Sequence, residues 1–191
     1  GPFWGEAAPA VSRATSPAAA DPLPAIVDFH EQLAALGVEL LLVPVPPKAV
    51  IVPHGLPDSP AAGRAGRLDT ALQAFYGQLR FKGLRVLDLA PLFLKARAAP
   101  DGAPYCRQDS HWSGTGCALA AREIAMELFA TFDGHPRQAM TGTWDNIDLR
   151  GDLWSALPEP RPARETIRIR TVRPAGESEP VAPDPASPVI L

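Results

Sequence analysis

Leu36-Gly37-Val38-Glu39-Leu40-Leu41-Leu42-Val43-Pro44-Val45-Pro46-Pro47 reads as a helix stop, a buried strand and a strand terminator in succession. Gly37 reaches the left-handed backbone that closes a helix without a Cβ penalty. Val38 to Val45 is almost continuously apolar, as expected of a strand covered on both faces. The prolines lack the N–H that a further ladder bond needs and end the strand.

Working outward, Ile26, Phe29, Leu33 and Leu36 recur at helical spacing upstream of Gly37. Asp21 and Pro22 supply the N-cap and first position of that helix. Downstream the order repeats. Leu68, Leu72, Phe75 and Leu79 predict a second helix closed by Gly83, and Leu84 to Leu89 a second buried strand. A third helix starts at Ser113 and runs to about Phe132. Thr166-Ile167-Arg168-Ile169-Arg170 alternates and predicts a half-exposed strand. Helices alternating with apolar strands imply an α/β fold with a mostly parallel sheet. Chemistry in such sheets gathers beyond the carboxyl ends of the strands. The loop after Leu84–Leu89 leaves from such an end.

The chain has 191 residues, enough for one domain with a real core. Its 23 prolines are about twice the usual share of roughly 5% and mark loops and an irregular tail. Residues 1–20 read as an extended arm, with residues 21–191 forming the domain. A net charge of -3 argues against a nucleic-acid partner, which calls for a basic face. No apolar run is long enough to span a membrane. Cys106 and Cys117 are too few for a disulfide scaffold. Cys117 shares a helix face with Ala121, Ile124 and Leu128, which predicts a buried, unbridged thiol.

The loop that follows the second strand contains Gln108-Asp109-Ser110-His111-Trp112-Ser113. Asp109 lies two residues before His111, close enough to hold one imidazole tautomer. That pairing is the base half of a Ser-His-Asp unit. Trp112 can shield the ring, and Ser113 opens a helix whose N-terminus favours nearby negative charge. The competing reading is a partly buried histidine bonded to local backbone. Asp109 and His111 also offer two metal ligands, but His30, His54 and His135 are scattered and the sequence shows no clear third ligand. Gly114-Thr115-Gly116 lacks the downstream glycine of a dinucleotide loop. None of Ser110, Ser113, Ser155, Ser178 and Ser187 sits in a Gly-x-Ser-x-Gly turn. Lys48, just past a buried strand, is either solvated or a cation at the rim of a cleft. Gly151-Asp152-Leu153-Trp154 reads as a turn that packs its Leu and Trp.

Three phrases in this order, Leu42-Val43-Pro44-Val45-Pro46-Pro47-Lys48, Tyr105-Cys106-Arg107-Gln108-Asp109-Ser110-His111-Trp112-Ser113 and Gly151-Asp152-Leu153, resemble the SGNH hydrolase-like domain of the alginate O-acetyltransferase group. The resemblance covers roughly residues 21–191. It implies a flavodoxin-like three-layer sandwich, with the Asp and His blocks preceding the nucleophile block. Asp109 then orients His111, the general base, while Lys48, Tyr105 and Trp112 are the candidate substrate contacts. It also implies O-acetyl transfer or acetyl-ester hydrolysis on a polysaccharide, without metal or organic cofactor. An exported, periplasmic setting and exopolysaccharide assembly proteins as partners follow from it as well. The family's Gly-Asp-Ser turn does not occur in this sequence. Ser187-Pro188-Val189-Ile190-Leu191 resembles the start of the strand that leads to it. The expectation is therefore a domain whose nucleophile segment is missing, inactive as it stands. The alternative is a non-catalytic member that binds polysaccharide or a partner through the same cleft.

Overall fold

The computed structural model describes residues 21–52, 67–99, 102–128 and 139–177. The arm 1–20, the third helix's end near Phe132 and the run Ser187–Leu191 lie outside the described residues. The chain divides into two compact units, Gly1–Lys95 and Ala96–Leu191.

In the first unit, α1 (Leu23–Ala35) begins where Asp21 Oδ1 accepts the N–H of Leu23 at 3.0 Å. It ends at Gly37, with φ of 73°. Gly37 N–H donates to Ala34 O at 3.0 Å and Val38 N–H to Leu33 O at 2.9 Å, so two terminal carbonyls are satisfied. Helix α3 (Thr70–Phe81) ends the same way. Gly83, at φ 89°, donates to Arg80 O at 3.0 Å and Leu84 to Leu79 O at 3.1 Å. Each helix is followed by a short strand, β1 (Leu41–Leu42) and β2 (Arg85–Val86). These pair in parallel, Leu41 opposite Arg85 and Leu42 opposite Val86. Leu87 N–H adds a bond to Leu42 O at 2.8 Å.

Tyr76, Leu79 and Leu84 centre the core of this unit. Leu23, Ile26, Val27, Leu40, Leu42, Leu72, Phe75 and Val86 pack around them. Two expectations are corrected here. The inward stripe of α1 runs through Leu23, Ile26 and Val27, while Phe29 and Leu36 are exposed. Phe29 lies about 200° around the helix from Val27, which turns it off the edge of the stripe that Val27 and Leu23 extend. The Val38–Val45 run is not covered on both faces either, because Val38 and Val45 are exposed. Its ladder stops within two residues of the prolines, which cannot donate.

Two further helices follow these strands. Helix α2 (Lys48–Ile51) buries Val50 and Ile51. Helix α4 (Ala90–Ala96) buries Ala90 and Phe93. Arg67 fastens the loop after β2. Its guanidinium donates to Asp69 at 2.8 and 2.5 Å and also to Asp88, which accepts the N–H of Ala90 at 3.0 Å.

The second unit is built on α5 (Gly114–Leu128) and a ribbon of β3 (Met140–Asp148) and β4 (Thr166–Pro174). The strands are antiparallel in full register, Met140 opposite Pro174 through Asp148 opposite Thr166. Helix α5 packs on β4. The approach is tightest at Gly114, where a Cβ would lie 2.0 Å from Arg168 O. In β4 the predicted alternation holds, with Ile167, Ile169 and Thr171 half-buried. β3 was not expected, since every residue in it is exposed and no core-facing stripe marks it. Among the described strands one pair is parallel and one antiparallel, so the expectation of a mostly parallel sheet is met only by β1–β2. No helix among the described residues is long and apolar enough to cross a membrane.

Candidate active site

The Asp109–His111 loop is the tip of a tight hairpin in the second unit. Tyr105 and Trp112 form an antiparallel bridge at its base. Cys106 N–H donates to His111 O at 3.3 Å, and Ser113 N–H to Pro104 O at 2.9 Å. The Ser113 hydroxyl donates to Ala103 O at 2.6 Å and accepts the N–H of Gly116 at 3.1 Å, so it caps α5 as expected.

At the tip, Asp109 Oδ1 lies 2.6 Å from His111 Nδ1 and accepts the His111 backbone N–H at 2.8 Å. The Asp109 side chain is 13% exposed and that of His111 is 82% exposed. A buried carboxylate thus grips one edge of a ring that otherwise meets solvent. Burial works to raise the Asp109 carboxyl. The N–H groups of His111 and Asp152, with the imidazole, outweigh it and hold Asp109 below the usual aspartate range. That charge state favours a proton on Nδ1, which leaves the Nε2 lone pair facing outward.

Asp152 completes the group, and the sequence reading missed it. It opens a single-turn helix, α6 (Asp152–Ser155). Its N–H donates to Asp109 Oδ2 at 2.9 Å. Its carboxylate accepts Ser110 N–H at 2.7 Å and the Ser110 hydroxyl as well. Ligand-type atoms of Asp109, His111 and Asp152 lie within 4.8 Å of one another, which supplies the third group the sequence did not show. All four carboxylate oxygens accept N–H or O–H bonds, an arrangement for fixing side chains in place. The Gly151–Trp154 segment was expected to pack its Leu. Instead Leu153 is exposed, and the segment's polar backbone braces the hairpin. Trp154 N–H donates to Gln108 O at 3.0 Å. A Cβ on Gly151 would lie 1.9 Å from that same carbonyl.

On its other side the hairpin is held by Glu165. One carboxylate oxygen accepts the N–H groups of Arg107 and Gln108 at 2.7 and 2.8 Å. The Gln108 side chain returns two bonds, to Ala163 O at 2.8 Å and from Glu165 N–H at 2.9 Å.

Tyr105 is buried, and its hydroxyl accepts the Trp112 indole N–H at 2.9 Å. It also lines a recess of about 350 Å³ together with Arg107, Ser113, Thr115, Glu165 and Arg168. Lys48 belongs to the first unit, as the half-buried first residue of α2. Both cysteines are free thiols, as expected. Cys117, however, is exposed, because the inner face of α5 runs through Gly116 and Ala120. The serines near the tip are committed elsewhere: Ser110 to Asp152, Ser113 to Ala103 and Gly116, and Ser155 to Gly151 O at 2.8 Å.

Residues 5–188 match the family described as SGNH hydrolase-like domain, acetyltransferase AlgX. The chain belongs to this family. Among curated relatives it is 31% identical, over 73% of its own length and 35% of the relative's, to a probable alginate O-acetylase AlgJ of Pseudomonas syringae pv. tomato. It is 29% identical, over 76% of its length, to the Pseudomonas aeruginosa protein of the same name, 38% of which is covered. The chain thus spans little more than a third of the length of these relatives. The solved O-acetyltransferase domain of Pseudomonas putida AlgJ superposes with a TM-score of 0.65 at 26% identity, over 79% of this chain and 55% of that one. Pseudomonas aeruginosa AlgX shares the fold, with a TM-score of 0.66 at 22% identity over 80% of this chain and 38% of that one. AlgX-family membership agrees with the α/β architecture and with acetyltransferase or esterase chemistry at the family level.

Proposed function

We propose that this chain carries the base half of an acyl-transfer site that moves or removes an acetyl group at a polysaccharide hydroxyl. The carrying observation is the 2.6 Å contact of a buried Asp109 with an exposed His111 imidazole. In this reading Asp109 orients the ring and His111 Nε2 takes the proton of a serine hydroxyl. The serine oxygen attacks the acetyl carbonyl, a covalent acetyl-enzyme forms, and the donor leaves with the proton returned by His111. A sugar hydroxyl or water then resolves the intermediate. Tyr105 and Trp112 shape the wall beside the ring. No metal or organic cofactor enters these steps.

The nucleophilic serine comes from a segment outside these 191 residues, entering in a Gly-Asp-Ser turn. The committed hydroxyls of Ser110, Ser113 and Ser155, the serines among the described residues, support this. The finer architecture proposed is flavodoxin-like, supported by the parallel pairing of β1 with β2. The protein is exported and works beside exopolysaccharide assembly proteins, a setting supported by relatives whose names refer to alginate acetylation. The same committed hydroxyls also favour a second reading, a non-catalytic member that binds polysaccharide or a partner.

Hydrolysis of a small acetyl ester decides between them. The 191-residue chain should be inactive and a longer natural chain active, with His111→Ala abolishing turnover in the longer one. Full activity in the short chain, or in His111→Ala, overturns the assignment of His111. Inactivity of the long chain with retained polysaccharide binding selects the second reading.

A further inference from the structure

We infer that Asp152 is a positioning residue that clamps the Asp109–His111 pair through Ser110, an inference that rests on the acyl-transfer reading of that pair. Asp109 and His111 are separated only by Ser110, so the aim of the imidazole depends on where the backbone of Ser110 sits. Among the described residues, the hydrogen bonds that hold Ser110 run to Asp152. The carboxylate receives the Ser110 N–H at 2.7 Å and the Ser110 hydroxyl. The N–H of the same residue occupies Asp109 Oδ2 at 2.9 Å, which leaves Oδ1 as the oxygen turned to the ring. One residue therefore fixes both the carboxylate rotamer of Asp109 and the chain that joins it to His111.

The anchor is itself rigid. Gly151 lies too close to Gln108 O to admit a Cβ, and Trp154 N–H donates to that carbonyl at 3.0 Å. Position 152 is thus pinned from both sides before its side chain acts. A misplacement of the base by about 1 Å costs on the order of a hundredfold in rate, so a clamp of this kind matters to turnover while leaving substrate affinity alone.

Asparagine and alanine separate clamp from charge. Asp152→Asn keeps an oxygen for the Ser110 N–H, and its amide can donate to the hydroxyl. Asp152→Ala removes both partners but keeps the backbone bond to Asp109. The readout is the tautomer of His111 in the 191-residue chain, from long-range 1H–15N correlations at mildly alkaline pH. His111→Ala identifies the signals, and amide spectra verify the fold. The Nδ1–H form should dominate in the parent chain and in Asp152→Asn, and fall to a minority in Asp152→Ala. In the intact protein Asp152→Ala should lower kcat about a hundredfold at unchanged KM, with Asp152→Asn close to the parent. A folded Asp152→Ala chain with the parent tautomer overturns the clamp. So does an Asp152→Asn chain that behaves like alanine. An intact protein with the expected tautomers but no acetyl-ester turnover sinks the acyl-transfer reading and leaves the clamp standing.

Discussion

The indole N–H of Trp112 donates to the hydroxyl of Tyr105 at 2.9 Å, across the bridge that closes the hairpin. Two aromatic residues flanking the Asp109–His111 tip therefore act on one another. Tyr105→Phe keeps the ring and removes the acceptor, leaving the N–H of a half-buried indole unsatisfied. The expected loss is about 1–2 kcal/mol in urea unfolding. A variant as stable as the parent means that water takes the hydroxyl's place.

Gly151→Ala tests the brace behind the tip. The new methyl would sit 1.9 Å from Gln108 O, a backbone atom that moves only if the hairpin moves. Overpacking of this kind costs about 1–3 kcal/mol, visible as a lower melting temperature and a loss of acetyl-ester turnover in the intact protein. Gly77→Ala is the contrast. It lies within α3 with nothing within 4 Å of the added carbon, and alanine there should stabilise by about 0.5–1 kcal/mol.

Acid should destabilise the fold in a defined window. Asp69, Asp109 and Asp152 are all held below the aspartate reference of 3.8. For Asp69, burial opposes ionisation and the Arg67 hydrogen bonds overcome it. Groups depressed on folding stabilise fully above the unfolded value and lose that contribution as pH falls through their folded values. Urea midpoints should be flat from neutral pH to about 5 and drop below about 4. Asp69→Asn should flatten the drop, and an unaltered slope would exclude Asp69 as a contributor.

The core of the first unit is tested by a pair of truncations. Leu79 of α3 is 1% exposed and sits in the buried cluster with Tyr76 and Leu84, so Leu79→Ala should cost about 2–5 kcal/mol. Phe29 is 52% exposed, and Phe29→Ala should change stability by no more than about 0.5 kcal/mol. A large effect at Phe29 would restore the helical stripe first read from spacing.

Those two residues show how far the sequence could be read. Helix ends were legible because Gly37 and Gly83 announce a backbone that other residues avoid. The first two strands were legible as apolar runs, but not their short ladders, because pairing depends on where neighbouring strands lie. The phase of α1 was misread since Phe29 and Val27 are equally apolar, and only the packed partner decides which faces inward. β3 left no signal, having no buried face. At the site, Asp109 and His111 were legible because a single residue separates them. Asp152 was not, since forty-odd positions intervene and its link to Asp109 runs through a backbone N–H that any residue type carries.

Ser113 carries a consequence of a different kind. Its hydroxyl both caps α5 and bonds Ala103 O at the hairpin's foot, so one atom belongs to two structures. Fraying of the first turn of α5 and opening of the hairpin then become a single event rather than two. In hydrogen exchange, the amides of Gly116, Cys117 and Ser113 should open with a common free energy and respond together to Ser113→Ala. The imidazole at the tip inherits its lifetime in the closed state from the cohesion of a fifteen-residue helix.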